Sequence, residues 1–218
     1  ISDDYRVPGF VANGIHSGIK ADGNRDLALI FSQRPATAVG MFTTNSFKAA
    51  PVVLDRQRIR SGVAQAVIVN SGVANAATGP EGLSDALAVS RAASAELGID
   101  DELVLVASTG VIGHRLPLAK IKAGMPALVA GLREEGIPDA EAGIMTTDRY
   151  PKLACRKANI GSREVTLCGI AKGVGMIQPN MATMLAFVMT DAAIEKDILD
   201  RLFRETVAVT FNAVTVDG

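Results

Sequence analysis

One stretch of the chain combines residue types that could carry out acyl chemistry. Lys172 lies in a glycine-rich turn, Pro179-Asn180 marks a corner, and Thr183 stands at the start of the apolar run 184–189. That run is too short to cross a membrane and has the length of a buried strand. A nucleophile needs rigid support, and Thr183 would have it at the first position of such a strand. The same pattern is also typical of a plain turn into a strand, where a β-branched residue is favoured for its shape alone.

Two histidines in the whole chain leave few general bases for a hydroxyl nucleophile. His16 lies in a turn, His114 stands beside Arg115, and the G-x-S-x-G elbow of serine hydrolases does not occur. A threonine at a chain start carries its own base, because an α-amine has a pKa of about 7.7–8.0 and is partly neutral near neutral pH. Attack of the Thr183 hydroxyl on the Ala182 carbonyl would free such a terminus. The sequence therefore makes Ala182–Thr183 a candidate cleavage site.

Attack on a carbonyl also needs hydrogen-bond donors for the oxyanion that develops. Ser108-Thr109-Gly110 follows a predicted buried strand at 103–107. Backbone N–H groups at glycine can approach a ligand closely, and a threonine hydroxyl can assist them. On its own the same sequence fits an ordinary turn at the end of a strand.

Composition argues against several kinds of partner. The net charge is −1 and no basic cluster occurs, so we expect no nucleic-acid binding. The two cysteines, Cys155 and Cys168, lack the spacing of metal ligands, so we expect no metal and no cofactor, in a reducing cytoplasmic setting. No apolar run approaches 18 residues, and no glycine-rich segment completes a nucleotide-binding motif. Since the chain starts at Ile1 rather than at methionine, we expect its true beginning to be missing.

The elements that must position these residues mix helices and strands without a strict β-α-β alternation. We predict a mixed α/β (α+β) fold with layered sheets rather than a doubly wound sheet. Strands are predicted at 26–31, 38–45, 66–70, 103–107, 164–170, 184–189 and 213–216, and helices at 84–97, 117–132, from 139 and over 194–207.

The motifs as a set resemble those of the ornithine acetyltransferases (glutamate N-acetyltransferases) of arginine biosynthesis. The likeness covers nearly the whole chain in the family's order, at 18–20, 42–45, 48–51, 70–72, 74–76, 108–113, 144–148, 169–191, 210–212 and 216–218. One departure is Ala77, where the family often has cysteine. The resemblance implies a layered α/β sandwich of the DmpA-like, N-terminal-nucleophile type.

The resemblance also implies a reaction. Members cleave themselves at the bond that matches Ala182–Thr183, and the new terminal threonine carries acetyl from N-acetylornithine to glutamate in ping-pong order. Residues 1–182 would form an α-chain and residues 183–218 the start of a β-chain, together one folded unit within an α2β2 assembly. Residues 183–218 are too few to fold alone, so we expect this chain to be part of a longer protein.

Roles follow residue by residue from the matching motifs. Thr183 is implied as nucleophile and base, and Thr109 with Gly110 as the oxyanion site. Thr146 and Lys172 are implied as substrate contacts beside Thr183, and a lysine suits a substrate carboxylate. Acetyl-CoA would be a second donor if the enzyme is bifunctional. An amidohydrolase or aminopeptidase of the same architecture, and a non-catalytic paralogue, remain as alternatives.

Overall fold

The computed structural model describes residues 4–175, residue 177 and residues 184–216. The predicted cleavage bond, Ala182–Thr183, lies outside the described residues. The strands are β1 (Phe10–Ile15), β2 (Leu27–Thr37), β3 (Val63–Val73), β4 (Val104–Val111), β5 (Lys152–Ile160), β6 (Arg163–Lys172) and β7 (Leu185–Thr190). The helices are α1 (Ala50–Arg58), α2 (Gly79–Leu97), α3 (Leu118–Ala130), α4 (Ile137–Ile144) and α5 (Lys196–Val209).

A four-stranded sheet in the order β1-β2-β3-β4 forms the centre of the described chain. The first three strands are antiparallel, and β4 pairs parallel to β3 after the crossover through α2. In β3, Ala66 and Ile68 point to one face, where α1, α2 and α3 pack. Val67 and Val69 point to the other face. This alternation follows from the two-residue period of a strand, and it gives the sheet a core on each side.

A second sheet, β5-β6-β7, covers the face of the first that the three helices leave open. It is an antiparallel meander. Cys155, Cys168, Ile170 and Met189 pack from this sheet against the first sheet and α4. The layers are therefore helices, sheet and sheet, with α4 contacting both sheets. This confirms the predicted layered α/β sandwich.

Helix α1 protects the open edge of β4. The Asp55 carboxylate accepts the Val106 N–H (3.0 Å), and Arg58 donates to the Val104 carbonyl (2.5 Å). Arg58 is held in turn by an ion pair with Asp101. A strand at the edge of a sheet exposes N–H and C=O groups with which another chain could pair. Asp55 and Arg58 bond to two of these groups on β4, as a neighbouring strand otherwise would.

Two predicted strands are absent from the structure, at 38–45 and at 213–216. The strand predicted at 38–45 is wrong, because β2 ends at Thr37 and the following residues adopt no regular structure. Helix α1 follows instead, with Pro51 in its first turn, where a missing N–H is harmless. The strand predicted at 213–216 is also wrong: a short 3-10 turn spans Phe211–Ala213, and Val216 makes one bridge to Ile177.

The apolar run at 184–189 forms a strand, as predicted, but it is not buried throughout. Within β7 only Met189 is fully buried, and Val188 is 48% exposed. Leu185, Phe187 and Met189 alternate along β7 and pack on the core, whereas Val188 lies on the opposite face, so one face of the strand meets the core and the other does not. Among the described helices, none has both the length and the apolar character to span a membrane.

The buried carboxyl of Asp55 makes stability depend on pH. Burial raises the pKa of Asp55 from 3.8 to about 7, against the opposing effects of the Val106 N–H bond and the charge of Arg58. Below about pH 4 the group is neutral in both states. As pH rises towards 7 the unfolded state loses this proton first, so the free energy of unfolding falls.

We predict that Asp55→Asn removes this loss, which is on the order of 2–4 kcal/mol between about pH 4 and pH 7 in the parent protein. Urea unfolding midpoints over that range would measure it. Glu96→Gln, at an exposed position of α2, is the matched control and should keep the parental slope. Parallel pH profiles for the parent and Asp55→Asn would show that Asp55 is ionised in the folded protein.

Candidate active site

Three residues that the sequence analysis selected meet at the ends of three different elements. Thr109 lies near the end of β4, Thr146 follows α4, and Lys172 ends β6. The Lys172 ammonium donates to Thr146 Oγ1 (2.7 Å) and to Thr109 Oγ1 (3.1 Å). The fold therefore brings together residues that lie up to 63 positions apart in the sequence.

Lys172 is almost completely enclosed at this point. It is 5% exposed, and burial lowers the pKa of its ammonium, with the nearby charges of Lys152 and Lys20 acting in the same direction and Asp148 opposing them. Among the described residues, no carboxylate lies within 4.0 Å of it. Within the described part of the chain the cation thus has hydroxyl partners and no bonded counter-ion, which suits it to an anionic ligand.

The turn predicted at Ser108-Thr109-Gly110 is wrong, because all three residues lie within β4, and Gly110 stands where the pairing of β4 with β3 becomes irregular. Its φ is +133°, and a Cβ added there would stand 2.2 Å from the carbonyl carbon of Gly72 in β3. A side chain is excluded by both the conformation and the space. Thr109 is half-buried and Gly110 is exposed, so this end of β4 is open to a ligand on one side.

Asp148 links the Thr146 segment to the end of β6. Its side chain is 1% exposed and accepts bonds from Lys152 Nζ (2.6 Å), the Gly173 N–H (2.8 Å) and the Thr146 N–H (3.3 Å). Burial by itself raises the pKa of Asp148, but these three bonds outweigh it and hold the pKa below 3.8. The ionised carboxylate therefore fixes Thr146 and Gly173, the residue after Lys172.

The structure brings Thr109, Thr146 and Lys172 together and places Gly110 beside them. Ala182 and Thr183 lie outside the described residues. Leu185, two residues after the predicted nucleophile, pairs directly with Lys172 across β6 and β7.

The sequence analysis did not select Asp148, although its place directly after Thr146-Thr147 was a usable signal, since a carboxylate there can accept main-chain N–H groups nearby. Neither His16 nor His114 bonds to Thr109, Thr146 or Lys172 within the described part of the chain. No group of three potential metal ligands occurs among the described residues either.

The arrangement of two sheets defines the class of the fold. The L-aminopeptidase D-Ala-esterase/amidase of Ochrobactrum anthropi, described as a variant of the Ntn hydrolase fold, has a TM-score of 0.57 over 97% of this chain and 70% of its own. At 13% identity this likeness concerns the fold alone.

The chain belongs to the ArgJ family, whose model matches residues 11–218. It is 50% identical over 212 residues to the arginine biosynthesis bifunctional protein of Geobacter sulfurreducens, covering 97% of this chain and 54% of that protein. The solved ornithine acetyltransferase of Mycobacterium tuberculosis, complexed with ornithine, is 39% identical with a TM-score of 0.74, over 83% of this chain and 98% of its own. The chain spans about half the length of the curated relatives it matches.

We predict that Asp148→Asn lowers the free energy of unfolding by roughly 2–3 kcal/mol, because an amide cannot balance Lys152 and presents a donor where an N–H needs an acceptor. Chemical denaturation at neutral pH would measure the loss. The matched control is Glu164→Gln, which removes the exposed partner of Lys157 in the same sheet and should cost less than about 1 kcal/mol. Equal losses in the two variants would contradict a special role for Asp148.

Proposed function

We propose that the full protein transfers the acetyl group of N2-acetyl-L-ornithine to L-glutamate in arginine biosynthesis, after self-cleavage at Ala182–Thr183. The observation that carries the proposal is the meeting of Lys172 with the hydroxyls of Thr109 and Thr146. Lys172 pairs with Leu185, so the cluster stands at the strand that follows the proposed cleavage site. The membership of the ArgJ family supports the same reaction.

The proposed chemistry runs in two steps that share one intermediate. The α-amine of Thr183 takes the hydroxyl proton, and the hydroxyl oxygen attacks the acetyl carbonyl of the donor. The oxyanion is stabilised by the Thr109 hydroxyl and the Gly110 N–H. Collapse expels ornithine, whose amine recovers the proton, and leaves acetyl on Thr183. The amine of glutamate then attacks this ester and releases the threonine.

Thr146 and Lys172 are proposed to hold the substrate. Both substrates carry an α-carboxylate, and an ammonium without a bonded counter-ion would attract it. Asp148 would keep both residues in place without touching the substrate. Positioning of this kind matters because small displacements of a reacting group cost large factors in rate.

Family members support a cleaved chain. The solved Mycobacterium tuberculosis chain matches this one over nearly all of its own length and is therefore shorter, whereas the curated relatives are about twice as long. A short solved chain within a family of long sequences is the pattern that internal cleavage produces. We propose that residues 1–182 form the α-chain, that Thr183 opens the β-chain, and that the two assemble as α2β2 in the cytoplasm.

The reaction itself can be tested with the full-length protein, N-acetylornithine and glutamate. We expect ornithine release to depend on glutamate and N-acetylglutamate to form in equal amount. Ornithine release that is independent of glutamate would identify a hydrolase instead. Because the curated relatives are called bifunctional, acetyl-CoA should be assayed as a second donor in the same experiment.

We predict that Thr183→Ala abolishes both cleavage and acetyl transfer, because the side chain then has no nucleophile, and that Thr183→Ser keeps part of each. Intact mass spectrometry and ornithine release would measure the two effects. Thr215→Ala, at an exposed threonine of the same segment, should behave like the parent. A Thr183→Ala protein that is still cut and active would falsify the proposed mechanism.

We predict that Lys172→Ala weakens substrate use about 10- to 100-fold while cleavage is largely retained, because a charge-assisted hydrogen bond to the carboxylate is lost. Steady-state kinetics would show the loss, and intact mass would show the cleavage. Lys157→Ala, at a surface position of β5, is the control. Accumulation of the uncleaved precursor would instead assign Lys172 to the processing step.

A further inference from the structure

Lys20 is held next to the candidate site by a loop with a rigid backbone. The loop connects β1 to β2 and folds around the carboxylate of Asp26, which is fully buried. That carboxylate accepts the N–H groups of Ser17 (2.7 Å), Ile19 (2.7 Å) and Lys20 (2.9 Å). Three main-chain bonds to one buried carboxylate leave the position of Lys20 little freedom.

The side chain of Lys20 crosses the end of the central sheet towards Thr146. Its Cγ lies close to Gly72: a Cβ added to Gly72 would stand 3.5 Å from it. Gly72 is the residue of β3 that leaves no room for a side chain at Gly110. The ammonium then donates to the Arg25 carbonyl (2.7 Å) and to the Met145 carbonyl (2.7 Å). Met145 directly precedes Thr146, so Lys20 and Lys172 bond to neighbouring residues of one segment.

Both ammonium groups lack a bonded counter-ion among the described residues. Asp22, Asp26 and Asp148 act on Lys20 only from beyond the 4.0 Å of an ion pair. Burial lowers the pKa of Lys20, as it does for Lys172. Lys152, in contrast, is paired with Asp148 at 2.6 Å.

Two partly desolvated cations that flank Thr146 need negative charge from elsewhere. An ammonium has three donors, and the described contacts of Lys20 use two. An anion between Lys20 and Lys172 would relieve their mutual repulsion and fill the remaining donors. A ligand with two carboxylates matches two cations better than a ligand with one.

We propose that Lys20 is a second carboxylate-binding residue of this site, and that Lys20 and Lys172 together select an acceptor with two carboxylates. The inference rests on the proposed function. Lys172 takes the α-carboxylate that donor and acceptor share, and Lys20 takes the side-chain carboxylate that glutamate has and N-acetylornithine lacks. Lys20 therefore acts on the second half-reaction and not on the first.

Kinetics of Lys20→Met in the full-length protein would separate the two half-reactions, because kcat/KM for each substrate of a ping-pong enzyme reports its own half-reaction. We expect kcat/KM for glutamate to fall by roughly 10-fold or more, as for the loss of a charge-assisted bond, and kcat/KM for N-acetylornithine to stay within about twofold. Lys20→Arg should recover part of the loss. Lys120→Met is the control, because Lys120 bonds to the Gly18 carbonyl of the same loop from outside.

Two outcomes would overturn the proposal. If both kcat/KM values fall together, Lys20 only holds the Met145–Thr146 segment in place. If neither falls, Lys20 plays no part in recognition. Absence of any transfer by the parent protein would instead count against the proposed function, so the two failures are distinguishable.

Binding without turnover gives a second test, whose first arm needs no Lys20 variant. Glutarate has no amine and cannot accept acetyl, so it can be titrated into the full-length parent protein in the absence of an acetyl donor. We expect glutarate to bind about tenfold more tightly than its monoamide by calorimetry, since only glutarate offers two carboxylates, and we expect Lys20→Met to abolish this preference. Equal affinities for the two probes in the parent protein would overturn the proposal.

Discussion

The carboxylate of Asp148 joins two parts of the chain that belong to different layers, and the candidate site depends on that junction. Thr146 ends the segment after α4, while Gly173 follows the last residue of β6; both donate their N–H groups to Asp148. Neither segment is fixed by strand pairing at these two residues. The shared acceptor ties the segment of Thr146 to the residue after Lys172, and it thereby supports the 2.7 Å contact between the Lys172 ammonium and the Thr146 hydroxyl.

The pairing of cations with carboxylates also distinguishes the site. Arg58, Lys152 and Arg115 are each paired with an aspartate, which offsets the cost of taking a cation from water. Lys20 and Lys172 are exceptions, since carbonyls and hydroxyls are their bonded partners in the described part of the chain. Two such cations near each other do not stabilise the fold. An anionic ligand bound between them would explain the arrangement. Backbone strain at functional sites is comparable, because it too is unfavourable by itself and is maintained by the surrounding structure.

The sequence was informative where chemistry and local structure coincide. The predicted strands at 103–107 and 164–170 placed Thr109, Gly110 and Lys172 near the ends of strands, where the structure also has them, but their roles came from the family resemblance and not from the local pattern. The layered architecture also followed from the order of the elements. The strand at 38–45 failed because a run of β-favouring residues carries no information about whether a neighbouring strand is available to pair with it. The predicted burial of β7 failed for a related reason: an apolar sequence does not say whether a second layer covers its outer face.

What the sequence could not reveal is the set of contacts that act across layers. Lys20 and Met145 lie 125 positions apart, and their contact exists because Asp26 folds one loop over the end of the sheet while α4 brings its own end to the same place. No local pattern records such a coincidence. A buried carboxylate that accepts several main-chain N–H groups, as Asp26 and Asp148 both do, fixes the backbone around the site. Asp148 also pairs with Lys152, but neither aspartate lies within 4.0 Å of the ammonium of Lys20 or Lys172. The two aspartates therefore position the site without pairing with Lys20 or Lys172, whose positive charge remains available to a ligand.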